Sequence, residues 1–254
     1  QKDFEKERYH GDNILISQNS PECFDETFWI KENINYYNEP LNSNRQITQE
    51  ILQAYEYFLN KHALEQEKRF LVVKNNNNHI RLSKLSEYFK NSIFIVLFRN
   101  PLHQSLSLLK THRRLSELQK KDKNILVYMN LIGHREFGLN QNYFEYDSES
   151  LQKLYLSSPE GNLNLSYWIQ TWINAYGWIL NKEFKRKNII LLSYEALCEE
   201  NNKILNKIFN LIGLDFKNKN LMSNMNSDPF DYEKSKLFEE ANQIYKDLLK
   251  NSFF

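Results

Sequence analysis

The chain has 254 residues, of which 41% are hydrophobic and 14% aromatic, so it is long enough to bury a full core. Its formal net charge of +1 excludes a global field that attracts nucleic acid or an anionic membrane, so any anion must be bound locally. Its longest apolar runs are too short to span a bilayer, and its start, QKDFEKERYHGD, does not resemble a signal peptide. Two distant cysteines favour reduced thiols and a cytoplasmic location.

Short apolar runs predict strands, and longer periodic stretches between them predict helices. In chain order we expect a strand at 13–17, a helix at 48–64, a strand at 69–73, a helix at 81–90, a strand at 93–98, helices at 101–122 and 165–185, a strand at 188–193 and a helix at 194–214. Runs that are apolar without alternation are typical of parallel strands covered on both faces. The order predicts an α/β fold with a parallel sheet flanked by helices, in one domain over 1–254.

Residues 124–165 interrupt this alternation and are predicted to be an insertion beside the sheet, on the acceptor side. The helix at 165–185 is apolar nearly all round and carries three tryptophans, which predicts a core helix rather than a platform for stacking bases. The basic stretch KTHRRLSELQKKD is predicted to be a solvated helical surface rather than a face for nucleic acid.

Arg99 follows the apolar run IFIVLF, where an arginine needs a partner. Ligands of open α/β sheets bind beyond the carboxyl ends of the strands, and Pro101 suits the first turn of the next helix. The N–H groups of that turn and the planar guanidinium would favour a phosphate, and Ser107 could add a hydroxyl donor. The alternative is that Arg99 forms a salt bridge with a neighbouring carboxylate and Ser107 faces solvent.

The stretch FIVLFRNPLHQSLSLL, with Ser eight residues after Arg, resembles a segment of sulfotransferases. In that family the segment binds the 3′-phosphate of 3′-phosphoadenosine 5′-phosphosulfate (PAPS). The blocks FLVVKNNNNHIRLSKLSEYFKNS and NIILLSYEALCEENNKILNKIFNLIGL resemble the lysine-containing loop and the Tyr-Glu-x-Leu helix of the family. Matches to a bacterial branch are ERYHGDNILISQNSPECFDETFW and YMNLIGHREFGL. The resemblance implies a P-loop-like fold, PAPS as the sulfuryl donor and no metal.

The resemblance also implies roles for single residues. Arg99 and Ser107 would bind the 3′-phosphate, and Tyr194 would lie against the adenine side of the cofactor. Lys74 would stabilise the bridging oxygen of the phosphosulfate. The alternatives are a capping or core tyrosine at 194 and an exposed loop lysine at 74.

The Gly/Ser/Thr-rich loop with which the family holds the 5′-phosphosulfate is not found in the sequence, whose six glycines are scattered. In the family this loop precedes the region that matches residue 1 onward. We therefore expect an N-terminally truncated chain, with a strand and this loop encoded upstream of Gln1. The alternative is a nucleotide-binding module of this fold without transfer activity. A nucleotide kinase is disfavoured because neither a Walker loop nor a clear magnesium carboxylate is visible.

Sulfuryl transfer needs a base that takes the proton of the acceptor hydroxyl or amine. The segment SPECFDETFWI offers Glu22, Asp25 and Glu26 beside aromatic residues that could desolvate a carboxylate, or these acids form the solvated first turn of a helix. The resemblance favours Glu26, with Glu22 and His10 as further candidates. His79 is another, although it follows four asparagines that most simply form a turn. The six histidines and two cysteines form no zinc-type cluster in the sequence.

Overall fold

The computed structural model describes residues 5–7, 15–17, 25–32, 41–42, 47–65, 67, 70–146, 161–182, 186–216 and 235–253. The chain divides into two compact units. The first unit comprises 1–40, 46–78 and 111–142, and the second unit comprises 41–45, 79–110 and 143–254. One domain over 1–254, with an insertion at 124–165, stays a prediction.

The described elements follow one another with helices in the majority. In chain order they are β1 (Lys6–Glu7), β2 (Leu15–Ile16), α1 (Glu26–Glu32), β3 (Leu41–Asn42), α2 (Gln49–Glu65), α3 (Leu82–Tyr88), β4 (Phe94–Phe98), α4 (Pro101–Lys121), α5 (Lys123–Leu131), β5 (Phe144–Glu145), α6 (Leu165–Lys182), β6 (Ile189–Ser193), α7 (Tyr194–Glu199), α8 (Asn201–Leu211) and α9 (Lys236–Lys250). Short 3₁₀ helices span Asn76–Arg81 and Gly161–Leu163. None of the described helices is long and apolar enough to cross a membrane.

An aromatic core holds α1 and α2 together in the first unit. The Trp29 ring lies 4.5 Å from that of Tyr55, and the Phe28 ring lies 5.2 Å from the same tyrosine. Trp29 has no exposed surface, so it provides a large apolar contact. This packing fixes the first turn of α1, where Glu26 is the first residue.

The second unit is built on a parallel pair of strands. β4 and β6 pair in register from Phe94 with Ile189 to Phe98 with Ser193. One face of the pair packs on α6 and α9, in a cluster that includes Phe98, Ile169, Trp172, Ile179, Leu191 and Leu248. On the other face, Leu192 packs on α8. The core role predicted for the tryptophan-rich helix is confirmed, and the α/β class with a small parallel sheet is as expected.

One strand prediction is wrong, and another is confirmed only in part. Residues 70–73 form no strand, and the side chains of Phe70, Leu71 and Val72 are exposed. The run at 13–17 gives the two-residue strand β2, which is antiparallel to β1 and leaves Leu15 exposed. Strand formation requires a neighbouring strand to accept and donate backbone hydrogen bonds, and an apolar run does not specify that neighbour.

The prediction that the strands are covered on both faces is confirmed for β6 and wrong for β4. All five residues of β6 are buried. In β4, Ile95 and Leu97 are 45% and 44% exposed, because the described helices cover only the opposite face of this strand.

Candidate active site

The carboxyl ends of β4 and β6 are joined by side chains of the turns that follow them. The Asn100 amide donates to Glu195 Oε1 at 2.9 Å, and Ser193 Oγ donates to Glu195 Oε2 at 3.1 Å. Ser193 also caps α7 by accepting the Ala196 amide. These bonds hold the residues after both strands side by side.

Asn100 caps α4, which begins at Pro101 as predicted. Its Oδ1 accepts the amides of Leu102 at 3.1 Å and His103 at 3.2 Å, and its carbonyl accepts the amide of Gln104 at 2.9 Å. These donors are therefore already satisfied. The expectation that exposed N–H groups of this turn favour an anion is wrong, and an anion here would be held by side chains.

Arg99 stands between β4 and α4 with its main chain and side chain held by aromatic residues. Its carbonyl accepts a hydrogen bond from Trp172 Nε1 at 3.2 Å, and its guanidinium carbon lies 5.0 Å from the centre of the Tyr194 ring. Its Nε is buried and has no hydrogen-bond acceptor among the described residues, where Arg99 also forms no ion pair. The salt-bridge alternative is thus not observed there, and a buried donor of this kind requires an acceptor. We call Arg99, Asn100, Trp172 and Tyr194 the Arg99 region.

Tyr194 and Ser107, the other two residues predicted to bind the cofactor, have different surroundings. Tyr194 begins α7 and lies against the guanidinium, as a cation–π pair. Burial and then a hydrogen bond with Cys198 raise the pKa of the Tyr194 phenol, and the Arg99 charge opposes this increase. Ser107 lies on the exposed side of α4, two turns from its start.

A second polar feature lies in the first unit, where a small cavity brings together residues from three parts of the sequence. It is lined by Glu26, Lys74, Asn75, Asn76, Asn77, Ile132, Gly133, His134 and Glu136. Two of the predicted catalytic residues, Glu26 and Lys74, therefore share one cavity. We call it the Glu26 cavity.

The two neighbouring acids at the start of α1 have different surroundings. Asp25 accepts hydrogen bonds from Asn75 Nδ2 at 2.7 Å, from Trp29 Nε1 at 3.4 Å and from the Tyr55 hydroxyl. Glu26 Oε2 accepts the same Asn75 Nδ2 at 2.7 Å. Both acids are 4% exposed, so the alternative of a solvated first turn is wrong, but only Glu26 lines the cavity. Asp25 is a structural acceptor that ties α1 to α2 and to the Asn75 loop.

The four asparagines after Lys74 form the predicted turn. The Asn75 side chain accepts the Asn77 amide at 2.8 Å, and the Asn75 carbonyl accepts the Asn78 amide at 3.2 Å. Asn75 thereby uses its Oδ1 for the turn and its Nδ2 for the two acids. Lys74 is exposed on one side and contributes to the cavity wall on the other.

Of the remaining base candidates, Glu22 and His10 lie outside the described residues. His79 is described and is not among the residues that line this cavity. His79 belongs to the second unit, where its ring makes an edge contact with Phe144 at 4.6 Å and a tilted contact with Tyr146 at 5.8 Å. These contacts place His79 in an aromatic cluster.

The sequence predicts no role for His134 and Glu136, although both lie in YMNLIGHREFGL, a block that resembles the bacterial branch of the family. His134 Nδ1 lies 3.1 Å from Glu136 Oε2, and Glu136 is buried. Burial would lower the pKa of His134, but the hydrogen bond and charge of Glu136, with the charge of Glu26, raise it above its ordinary value against the opposing charge of Lys74. No group of three His, Cys, Asp or Glu side chains suited to a metal ion occurs in the part of the chain that is described.

The loop that carries His134 is anchored on α4. The Gly138 amide donates to His112 Nδ1 at 3.2 Å, and the Leu139 amide donates to Gln119 Oε1 at 2.6 Å. Gly138 has a φ of +88°, a conformation that favours glycine, and a Cβ built there would clash with Gln119 Oε1. His112 is 2% exposed and must be neutral at Nδ1 to accept this bond.

Acidification from neutral pH to about pH 4 should lower the free energy of unfolding by about 3 kcal/mol through His112 alone. Burial, followed by the Arg113 charge, lowers the pKa of His112 from 6.5 to about 4. At a pH between these two pKa values, His112 is protonated in the unfolded chain but not in the folded chain. The stabilisation is therefore complete above pH 6.5 and is lost as the pH falls through about 4. Urea unfolding followed by circular dichroism across this range measures it.

His112→Asn keeps an acceptor for the Gly138 amide but cannot titrate, so its unfolding free energy should depend less on pH in this window. His62→Asn, at an exposed position of α2, is the matched control and should keep the parental pH dependence. A parental dependence in His112→Asn would show that other groups cause the loss.

Comparison with known proteins places these features in a family. The model of the family described as Sulfotransferase domain matches residues 18–253, a range that includes Glu26, Lys74, Arg99, His134 and Tyr194. No curated protein and no solved structure gives a significant match. The P-loop-like α/β fold of the family agrees with the parallel pairing of β4 and β6 and with the helices packed on it. Since the match extends over most of its length, the chain belongs to the sulfotransferase domain family.

Proposed function

We propose that this chain transfers a sulfuryl group from PAPS to a hydroxyl or amine of an acceptor. The observation that carries the proposal is the Glu26 cavity, in which a buried carboxylate and a lysine line the same space. A buried carboxylate is suited to accept a proton, and an ammonium is suited to stabilise the charge that develops on transferred oxygens. Family membership supplies the reaction class.

The reaction requires one proton acceptor and one departing nucleotide. The acceptor oxygen or nitrogen forms a bond to sulfur, and its proton passes to Glu26. The bond between sulfur and the bridging oxygen of the 5′-phosphate breaks, and adenosine 3′,5′-bisphosphate (PAP) leaves with the electron pair. Lys74 would stabilise the negative charge on the bridging oxygen.

In this proposal the Arg99 region binds the adenosine 3′-phosphate part of the cofactor. The buried Nε of Arg99 lacks an acceptor among the described residues and fits a phosphate oxygen. The Tyr194 ring, held against the guanidinium, provides an aromatic surface for the adenine side. Ser107 would add a hydroxyl donor to the phosphate from α4.

The test uses the full-length protein. Calorimetry should show that it binds PAP, and chromatography should show release of PAP from PAPS in the presence of a panel of hydroxyl and amine acceptors. A chelator should leave the rate of PAP release unchanged. Binding of PAP without transfer to any acceptor or to water would favour the nucleotide-binding module. Transfer of a phosphoryl group from ATP that stops with chelator would favour the kinase.

A further inference from the structure

The loop 133–136 lies directly against the side chain of Glu26. Gly133 has a φ of +76°, which favours glycine. A Cβ built at this position would lie 2.8 Å from Glu26 Cγ and 2.6 Å from Ile30 Cδ1. The missing side chain therefore lets the loop backbone approach the acid and brings the next residue, His134, into the wall of the same cavity.

The orientation of the His134 ring is fixed by its neighbours in the loop. Its amide donates to the Met129 carbonyl at 2.9 Å, and its Nδ1 lies 3.1 Å from Glu136 Oε2. Because an ionised carboxylate can only accept, Nδ1 carries the proton of this bond. The loop is also anchored through Gly138 to His112. A carboxylate bound to Nδ1 fixes both the orientation of the ring and the position of its proton.

The charges around His134 favour its protonated form. Glu136 of its own loop, Glu26 of α1 and Lys74 of the segment before the asparagine turn line the same cavity as His134, and their charges act on it. These groups comprise two carboxylates and one ammonium. An imidazolium brings the sum of the four charges to zero, which is the arrangement that a partly buried cluster favours.

We propose that His134, held by Glu136, is a positioning residue of the transfer reaction, which as an imidazolium keeps Glu26 ionised and ready to accept the proton of the acceptor. The proposal rests on the proposed function for its kinetic consequence. His134 keeps its own proton throughout, and the proton released by the acceptor goes to Glu26. The pKa of His134, raised above its ordinary value, agrees with this role.

The coupling between the two groups can be measured without any enzymatic activity. In protein with ¹³C-labelled histidine, the His134 signal is the one that His134→Gln removes. Its titration midpoint should lie above 6.5 and should fall in Glu136→Gln. It should also fall, by about 0.5–1 pH unit, in Glu26→Gln. Glu117→Gln removes an exposed acid of α4 that pairs with Lys120, and it should leave the midpoint unchanged.

Linkage then fixes the size of the kinetic effect. If the Glu26 charge raises the His134 midpoint by a given amount, the His134 charge lowers the proton affinity of Glu26 by the same amount. In His134→Gln the acidic side of the pH profile of kcat/KM should therefore move to higher pH. The size of this movement should equal the fall of the His134 titration midpoint in Glu26→Gln. His134→Lys, which keeps the positive charge, should restore this side of the profile towards its parental position, and KM for PAPS should stay constant.

Each result decides the proposal. A His134 midpoint that does not respond to Glu26→Gln would overturn the coupling, whether or not the protein transfers sulfuryl groups. An unchanged acidic side of the kcat/KM profile in His134→Gln, with folding confirmed by circular dichroism, would overturn the positioning role. If no acceptor or water receives a sulfuryl group from PAPS, the proposed function and the positioning role fail together, and the titration alone then reports whether the charge pair exists.

Discussion

Glu26→Gln should lower the rate of sulfuryl transfer by about 10²–10⁴-fold in the full-length enzyme while leaving PAP binding unchanged. Glutamine has nearly the same shape and can still accept the Asn75 hydrogen bond that Glu26 receives at 2.7 Å. It cannot accept a proton at neutral pH. The loss should therefore appear in kcat, measured as PAP release from PAPS at saturating acceptor, and calorimetry should give the parental affinity for PAP.

Glu32→Gln is the matched control for this change, because Glu32 ends the same helix and is exposed. It should keep the parental rate. Glu22→Gln and His10→Gln test the other candidates that the sequence offers. A parental rate in Glu26→Gln together with a loss of turnover in either of these two variants would assign the base to that residue instead.

Arg99→Ala should weaken PAP binding by about 10- to 100-fold, which corresponds to the roughly 1.5–3 kcal/mol of a hydrogen bond to a charged group. The reason is that the guanidinium, held over the Tyr194 ring with a buried and unsatisfied Nε, would lose its contact with the 3′-phosphate. Adenosine 5′-phosphate has no 3′ group, so its affinity should change far less. Titration calorimetry with both nucleotides measures the difference.

Arg114→Ala removes an exposed arginine of α4 and controls for the general loss of one positive charge. Its affinity for PAP should equal that of the parent. Equal losses for PAP and adenosine 5′-phosphate in Arg99→Ala would instead show that Arg99 supports the fold of the β4–α4 turn.

The sequence by itself determined the local structure around the Arg99 region. The apolar runs at 93–98 and 188–193 became β4 and β6, because consecutive apolar and β-branched residues favour the extended strand conformation. Asn100 and Pro101 set the start of α4, since capping and a fixed φ act within a few residues. Motifs in the same blocks led to the sulfotransferase family, which the family match confirms.

The pairing of strands was not determined in the same way. The run at 69–73 has the same apolar character as β4, yet its described residues form no strand and expose three large apolar side chains. A strand exists only where another strand satisfies its backbone groups, and that partner comes from a distant part of the chain. The apolar pattern contains no information on which partner is present.

The difference between neighbouring acids was likewise decided by tertiary structure. Asp25 and Glu26 are adjacent in the sequence and equally buried, but Tyr55, Trp29 and Asn75 occupy the oxygens of Asp25. Glu26 lines a cavity to which Gly133 and His134 also contribute, from a loop far along the chain. Sequence motifs nominate residue types, whereas desolvation and charge coupling depend on distances between segments that only folding brings together.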